Sequence, residues 1–220
     1  MRRFVSAVLS IISLLVALGA VAAAQTQITI GASTSGTIQF SGAGQTQVAL
    51  VGSCGQTNCV QGYGYLAAQA GTYDMWITGN NPLVSATANP SVYAVNMNGG
   101  TLNFSFAIGQ SSFTGTIQLT TLKDGTIAPQ FLGSLTVLNS SGIFASLWSA
   151  GNVVPLDFTV TLPQGSALVD QVVAGTAGST SGTLSSGEIL AVTAPEPTSI
   201  ALIGSGLLAV GGVLKRRMRK

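Results

Sequence analysis

Four carboxylates, Asp74, Asp157, Asp170 and Glu188, and two thiols, Cys54 and Cys59, are the candidates for acid–base, nucleophilic or metal chemistry in a chain without histidine. Lack of histidine removes Ser-His-Asp and Cys-His catalysis, His-ligated zinc and the usual general base near neutral pH. A glycosidase needs two carboxylates flanking one bond, and these four are isolated in sequence, so no catalytic residue is assigned and no enzyme activity is expected. Calcium needs clustered oxygens and zinc needs four ligands; neither pattern occurs, so no metal or cofactor is expected. Cys54 and Cys59 enclose four residues rather than the two of redox-active pairs, which reads as a local disulfide. A different chemistry is open to the aromatic residues. Trp76 and Trp148 are the candidate sugar-stacking residues, with Tyr63, Tyr65, Tyr73, Tyr93 and Asp74 as possible company. Aromatic faces cover apolar C–H surface while a polar rim grips hydroxyls. The same rings serve equally well as core.

The elements that must position these groups are strands. Leu102, Phe104, Phe106 and Ile108 alternate with polar or small residues, as do Leu156, Phe158, Val160 and Leu162, the period of a half-buried strand. Weaker copies run at residues 28–30, 38–40, 48–51, 73–78, 92–97, 114–122, 135–138, 168–173 and 189–192. Many short strands with turn signals between them predict an all-β fold, an antiparallel β-sandwich or jelly roll. Asn98-Gly99 is read as the hairpin turn joining the strands at 92 and 102, and Asp124-Gly125 as another. Short helical turns are expected at 65–70 and 143–149. The Gly/Ser/Thr-rich stretch 175–187 reads as a flexible loop or stalk. Residues 25–194 form one domain. Its outward positions carry hydroxyls and amides rather than lysines, which leaves edge-to-edge self-association open.

Charge is distributed unevenly. Of eight basic residues, Lys123 alone lies between the ends, so the formal +2 hides an acidic body. One lysine cannot neutralise a row of phosphates, which excludes a nucleic-acid partner. At the amino end Arg2-Arg3, an apolar run and then Ala22-x-Ala24 have the three parts of a secretory signal, residues 1–24, with cleavage after Ala24. At the other end Pro195-Glu196-Pro197 precedes an uncharged apolar stretch, 198–214, followed by Lys215, Arg216, Arg217, Arg219 and Lys220. Seventeen residues give about 25 Å of helix, a minimal transmembrane span that lysine and arginine snorkelling can complete. Basic residues stay on the cytoplasmic side, which puts 25–194 outside. The two prolines fix φ and push Ala194 and Glu196 away from helical geometry, so the motif leaves the membrane as extended chain.

The order of motif, apolar helix and arginine-rich end over about residues 193–220 resembles the PEP-CTERM sorting tail of exosortase substrates. The resemblance implies handling by signal peptidase and the secretion machinery, temporary anchoring in the inner membrane, and cutting by an exosortase-like membrane enzyme at or near Pro195-Glu196-Pro197. It further implies delivery to the cell surface or extracellular matrix, and an association with exopolysaccharide and biofilm. It carries no information about the fold of the body. The expectation is therefore a non-enzymatic, disulfide-stapled surface or matrix protein, with a carbohydrate-binding module of the cell envelope as the alternative.

Overall fold

The computed structural model describes residues 26–191, apart from 43, 53, 55–56, 67–68, 86–91 and 125–126. Twelve strands follow one another: β1 (Thr26–Ser35), β2 (Thr37–Ser41), β3 (Gln45–Val51), β4 (Cys59–Leu66), β5 (Gln69–Thr78), β6 (Asn80–Ser85), β7 (Val92–Asn96), β8 (Leu102–Ile108), β9 (Ser111–Lys123), β10 (Gln130–Ser140), β11 (Val153–Thr161) and β12 (Ser179–Ala191). A 3-10 turn at Gly142–Ser146 and a short helix α1 at Val169–Val173 complete it. All pairings are antiparallel within one sheet.

The register reduces the twelve strands to eight. β1 and β2 lie end to end along β12, pairing through 26–30 with 191–187 and through 38–41 with 182–179. β7 and β8 lie likewise along β9. β4 with β3, and β5 with β6, continue one another between them. Each successive long strand pairs with the one before it, and the last, β12, returns to the first. The result is an eight-stranded up-and-down meander closed into a barrel, a size whose interior side chains just fill.

The expected sandwich or jelly roll was thus right in strand content and antiparallel sense, while the two layers are one continuous sheet. Closure also corrects the expectation of open edges: among the described residues every strand is hydrogen-bonded on both sides. Asn98-Gly99 turns, with both residues at positive φ, but it interrupts one long strand instead of closing a hairpin between β7 and β8. Comparable breaks fall at Gly36, between Gly52 and Cys59, and at Gly79, so four neighbouring strands bend at one level. Gly36 has φ +81°, and a Cβ there would strike the Cys59 carbonyl oxygen. Only glycine permits that approach. The strand Ile38–Phe40 and its neighbours were legible because Ile38, Phe40, Val48 and Leu50 point in at period two.

Three other readings are corrected. Residues 179–187 of the stretch read as a loop or stalk belong to β12, which continues to Ala191 through the strand expected at 189–192 and pairs with β11, β1 and β2. Thr180, Gly182 and Leu184 face in, and Gly182 is small because β11 backbone occupies the space of its side chain. Residues 65–66 and 69–70 belong to β4 and β5 rather than to a helix. Val169–Val173, read as a strand, is α1: Val169, Val172 and Val173 recur at i, i+3 and i+4 and all are buried.

The long connections plug the barrel at opposite ends. The segment between β10 and β11 inserts Phe144 and Trp148 against Phe106 and Phe113. The segment between β11 and β12 places α1 over the other end, where the Val173 carbonyl accepts the Gly44 N–H at 2.8 Å.

Candidate functional site

Along β4, Val60, Gly62, Gly64 and Leu66 face the core, so Gln61, Tyr63 and Tyr65 face outward. Met75 and Ile77 do the same on β5, which turns Asp74 and Trp76 to the outside. Register places Tyr63 opposite Asp74, and Gln61 opposite Trp76, with Ser105 of β8 on the far side of Trp76. Tyr63 and Tyr65 are 39% and 43% exposed, Asp74 is exposed and Trp76 is half-buried. Two residues along a strand span about 6.8 Å, so the tyrosine rings stand in a row, with Trp76 diagonal to Tyr63. Beside the row, Gly31 of β1 has no side chain, and Tyr63 occupies its place. A Cβ on Gly31 would stand nearest Tyr63 Cε2 and equally far from Cδ2 and Cζ, above the ring plane rather than beyond its edge. Tyr63 therefore lies flat on the β1 backbone and turns its other face to solvent.

Trp148, the second candidate stacking residue, is excluded from such a role and belongs to the core, the other reading its sequence allowed. It is 1% exposed, its ring centroid 4.9 Å from Phe113 and 5.7 Å from Phe144, and its carbonyl accepts a 2.6 Å bond from Ser140 Oγ. The flanking residues do form a loop, but the loop folds inward. Its indole N–H is buried without a hydrogen-bond partner. Tyr73 packs edge-on against Phe106 at 5.8 Å, and Tyr93 is buried. Burial, reinforced by the charges of Asp124 and Asp170, raises the Tyr93 hydroxyl above its ordinary value. The structure thus divides the candidate aromatics into an inner set and an outer set of Tyr63, Tyr65 and Trp76.

The candidate acids also separate. Asp74 stands alone beside the tyrosines. Asp157 and Glu188 are directly opposed across β11 and β12, edging a surface hollow of about 220 Å³ formed with Leu132, Gly133, Pro155, Leu156 and Leu190. Burial raises the Asp157 carboxyl first, the Glu188 charge raises it further, and the Glu188 backbone N–H, donating to Asp157 Oδ1 at 3.2 Å, opposes both. Glu188 in turn accepts from the Gln27 amide. Asp170 lies on α1, where its backbone N–H donates to Asp124 Oδ2 at 2.9 Å. Among the described residues, no group of three or more acids or cysteines is placed to hold a metal ion. Cys54 and Cys59 sit at disulfide distance, with Cα atoms 5.7 Å apart, where the chain passes from β3 to β4 at the Gly36–Gly52 contact.

Gly31 and Gln61 had no sequence signal, because their part in the outer surface depends on a neighbouring strand. The leader with Ala22 and Ala24, the motif Pro195-Glu196-Pro197, the apolar 198–214 and the basic end all lie outside the described residues. Within those residues no helix is long and apolar enough to cross a membrane. In comparisons with known proteins, no family model, no curated protein and no solved structure matches the chain.

Proposed function

We propose that the protein is an exported, non-enzymatic component of the cell surface or extracellular matrix, linked to exopolysaccharide or biofilm. Signal peptidase removes residues 1–24, and the apolar 198–214 holds the body on the outer side of the inner membrane. An exosortase-like enzyme then cuts at or near Pro195-Glu196-Pro197. The observation that carries this reading is the ordered pair of end signals around a body with one lysine and outward hydroxyls and amides.

The fold supports it in three ways. Thr26 pairs with Ala191, so the first and last strands of the body begin and end side by side, as suits a body held and released at one end. A cysteine pair at disulfide distance suits an oxidising compartment. The outer face, rich in threonine, serine and glutamine over an apolar interior, is the reverse of what a lipid-facing barrel needs.

Mass spectrometry of the native protein tests the reading. The expected mature chain starts at Gln25 and has lost the apolar helix and basic end. A surface protein starting at Gln25 and still ending at Lys220 overturns the processing step.

A further inference from the structure

We infer that the outward row Tyr63, Tyr65 and Trp76, with Asp74 and Gln61, is a binding surface for an extended neutral polysaccharide. This assignment stands on the folded body and is independent of how the ends are processed.

Three observations carry it. First, Tyr63 is presented rather than merely uncovered: it is laid flat over the bare backbone of Gly31, leaving its other face to solvent, and Tyr65 beside it is exposed. A flat, exposed ring with its plane along the sheet matches the C–H face of a pyranose, and burying that face removes apolar area from water without hydrogen-bond cost. Second, polar groups stand beside the rings at the register positions next to them. Asp74 is opposite Tyr63, and Gln61 and Ser105 flank Trp76, so acceptors and amide donors are within a strand's spacing of any sugar stacked on the row. Two exposed rings one strand repeat apart, with Trp76 on the neighbouring strand, suit a linear chain better than a compact ligand, because successive sugar units can engage successive rings.

Third, charge selects among polymers. Lys123 is the one cation among residues 26–191, and it lies on β9 beside Gln130 and Val92, whereas the row carries Asp74. An anionic polysaccharide therefore meets like charge and no partner, and uncharged hydroxyls meet a complementary rim.

Affinity electrophoresis of the full-length, detergent-solubilised protein tests this, with hydroxyethylcellulose and mixed-linkage β-glucan as neutral polymers, alginate as the anionic one and chitosan as the cationic one. Expected is retardation by the neutral polymers, weakened about tenfold by Tyr63→Ala or by Trp76→Ala, whereas retardation by alginate through the basic ends, or by chitosan through the acidic body, is unchanged by these substitutions and lost at high salt. Gly31→Ala is the sharper variant, since it keeps every ring and lifts Tyr63 off the backbone; about a threefold loss is expected. Circular dichroism of each variant confirms the barrel, and a variant that does not fold is replaced by Tyr63→Leu, which keeps bulk but not the aromatic face. No retardation by either neutral polymer overturns the assignment. So does neutral-polymer retardation that survives both ring substitutions, alginate or chitosan retardation that those substitutions weaken, or light scattering showing that the row instead joins two copies of this chain. None of these outcomes alters the terminal masses that decide the sorting reading.

Discussion

The two ends of the barrel are closed by different means. At the end where the body's first and last strands meet, Phe106, Phe113, Phe144 and Trp148 form a continuous ring cluster with centroids 4.9–5.7 Å apart. At the other end three valines of α1 cover a smaller aromatic group, Phe40, Phe131 and Phe158. One end is sealed by a few large rings on a loop, the other by a single helical turn and a half with small apolar residues. Ring packing concentrates buried area in few residues, so the first seal depends on each of them; the valine seal spreads the same task.

The comparison predicts unequal costs. Trp148→Ala leaves a hole in the ring cluster and should destabilise by about 4 kcal/mol, read from the denaturation midpoint at unchanged slope. Trp148→Phe keeps most of the volume and removes the buried indole N–H that lacks a partner, so its cost should stay below about 1.5 kcal/mol. Equal losses for alanine and phenylalanine would mean that the indole N–H, not the ring packing, matters at this end.

At the helical end Val172→Ala removes two buried methyl groups and should cost about 2 kcal/mol. Native-state hydrogen exchange separates the two seals further. Val172→Ala should speed exchange of the α1 amides while leaving those of β8 and β9 near Phe106 and Phe113 unchanged. Acceleration at both ends would show that the barrel opens as one unit.

The same contrast explains what the sequence disclosed. β8 and β11 were legible because every second residue is large and apolar. β4 was not, because Gly62 and Gly64 stand at inward positions that Met75 and Phe106 fill from neighbouring strands. Its alternation survives in space and is lost in composition, which also hid Tyr63 and Tyr65 as an outward pair. β12 was masked similarly, its low-complexity composition being one face of threonine, glycine and leucine against close backbone. α1 carried its signal openly, in valines spaced three and four apart, but β-branched residues argued for a strand over so short a window. Trp148 read equally well as a stacking residue or as core because polar loop residues flank it; its burial comes from the path of the loop, which no local pattern encodes. Closure of the barrel lay beyond sequence reading, because it is a statement about β12 meeting β1 and β2 across the whole chain length.

The smallest expected effect lies on the outer wall nearer the aromatic seal. Asp157 faces Glu188 across the ladder, with the Gln27 amide on Glu188, while Lys123, the one cation among the described residues, lies on β9. Its folded carboxyl is raised, by burial first and by Glu188 second. A raised acid binds its proton more tightly when folded, so its favourable contribution is complete below the unfolded value and is lost as pH rises through the folded one. Acidification from neutral pH should therefore strengthen the β11–β12 ladder, and the amides of 156–158 and 187–189 should exchange more slowly than those of α1 respond. Asp157→Asn should imitate the protonated state, raising the melting temperature slightly at pH 7 and abolishing the extra gain on acidification. Because the site is largely open to water, the effect should be under about 1 kcal/mol. A variant less stable than the parent at pH 7 would show that the hydrogen bond from the Glu188 N–H outweighs the repulsion between the two carboxylates.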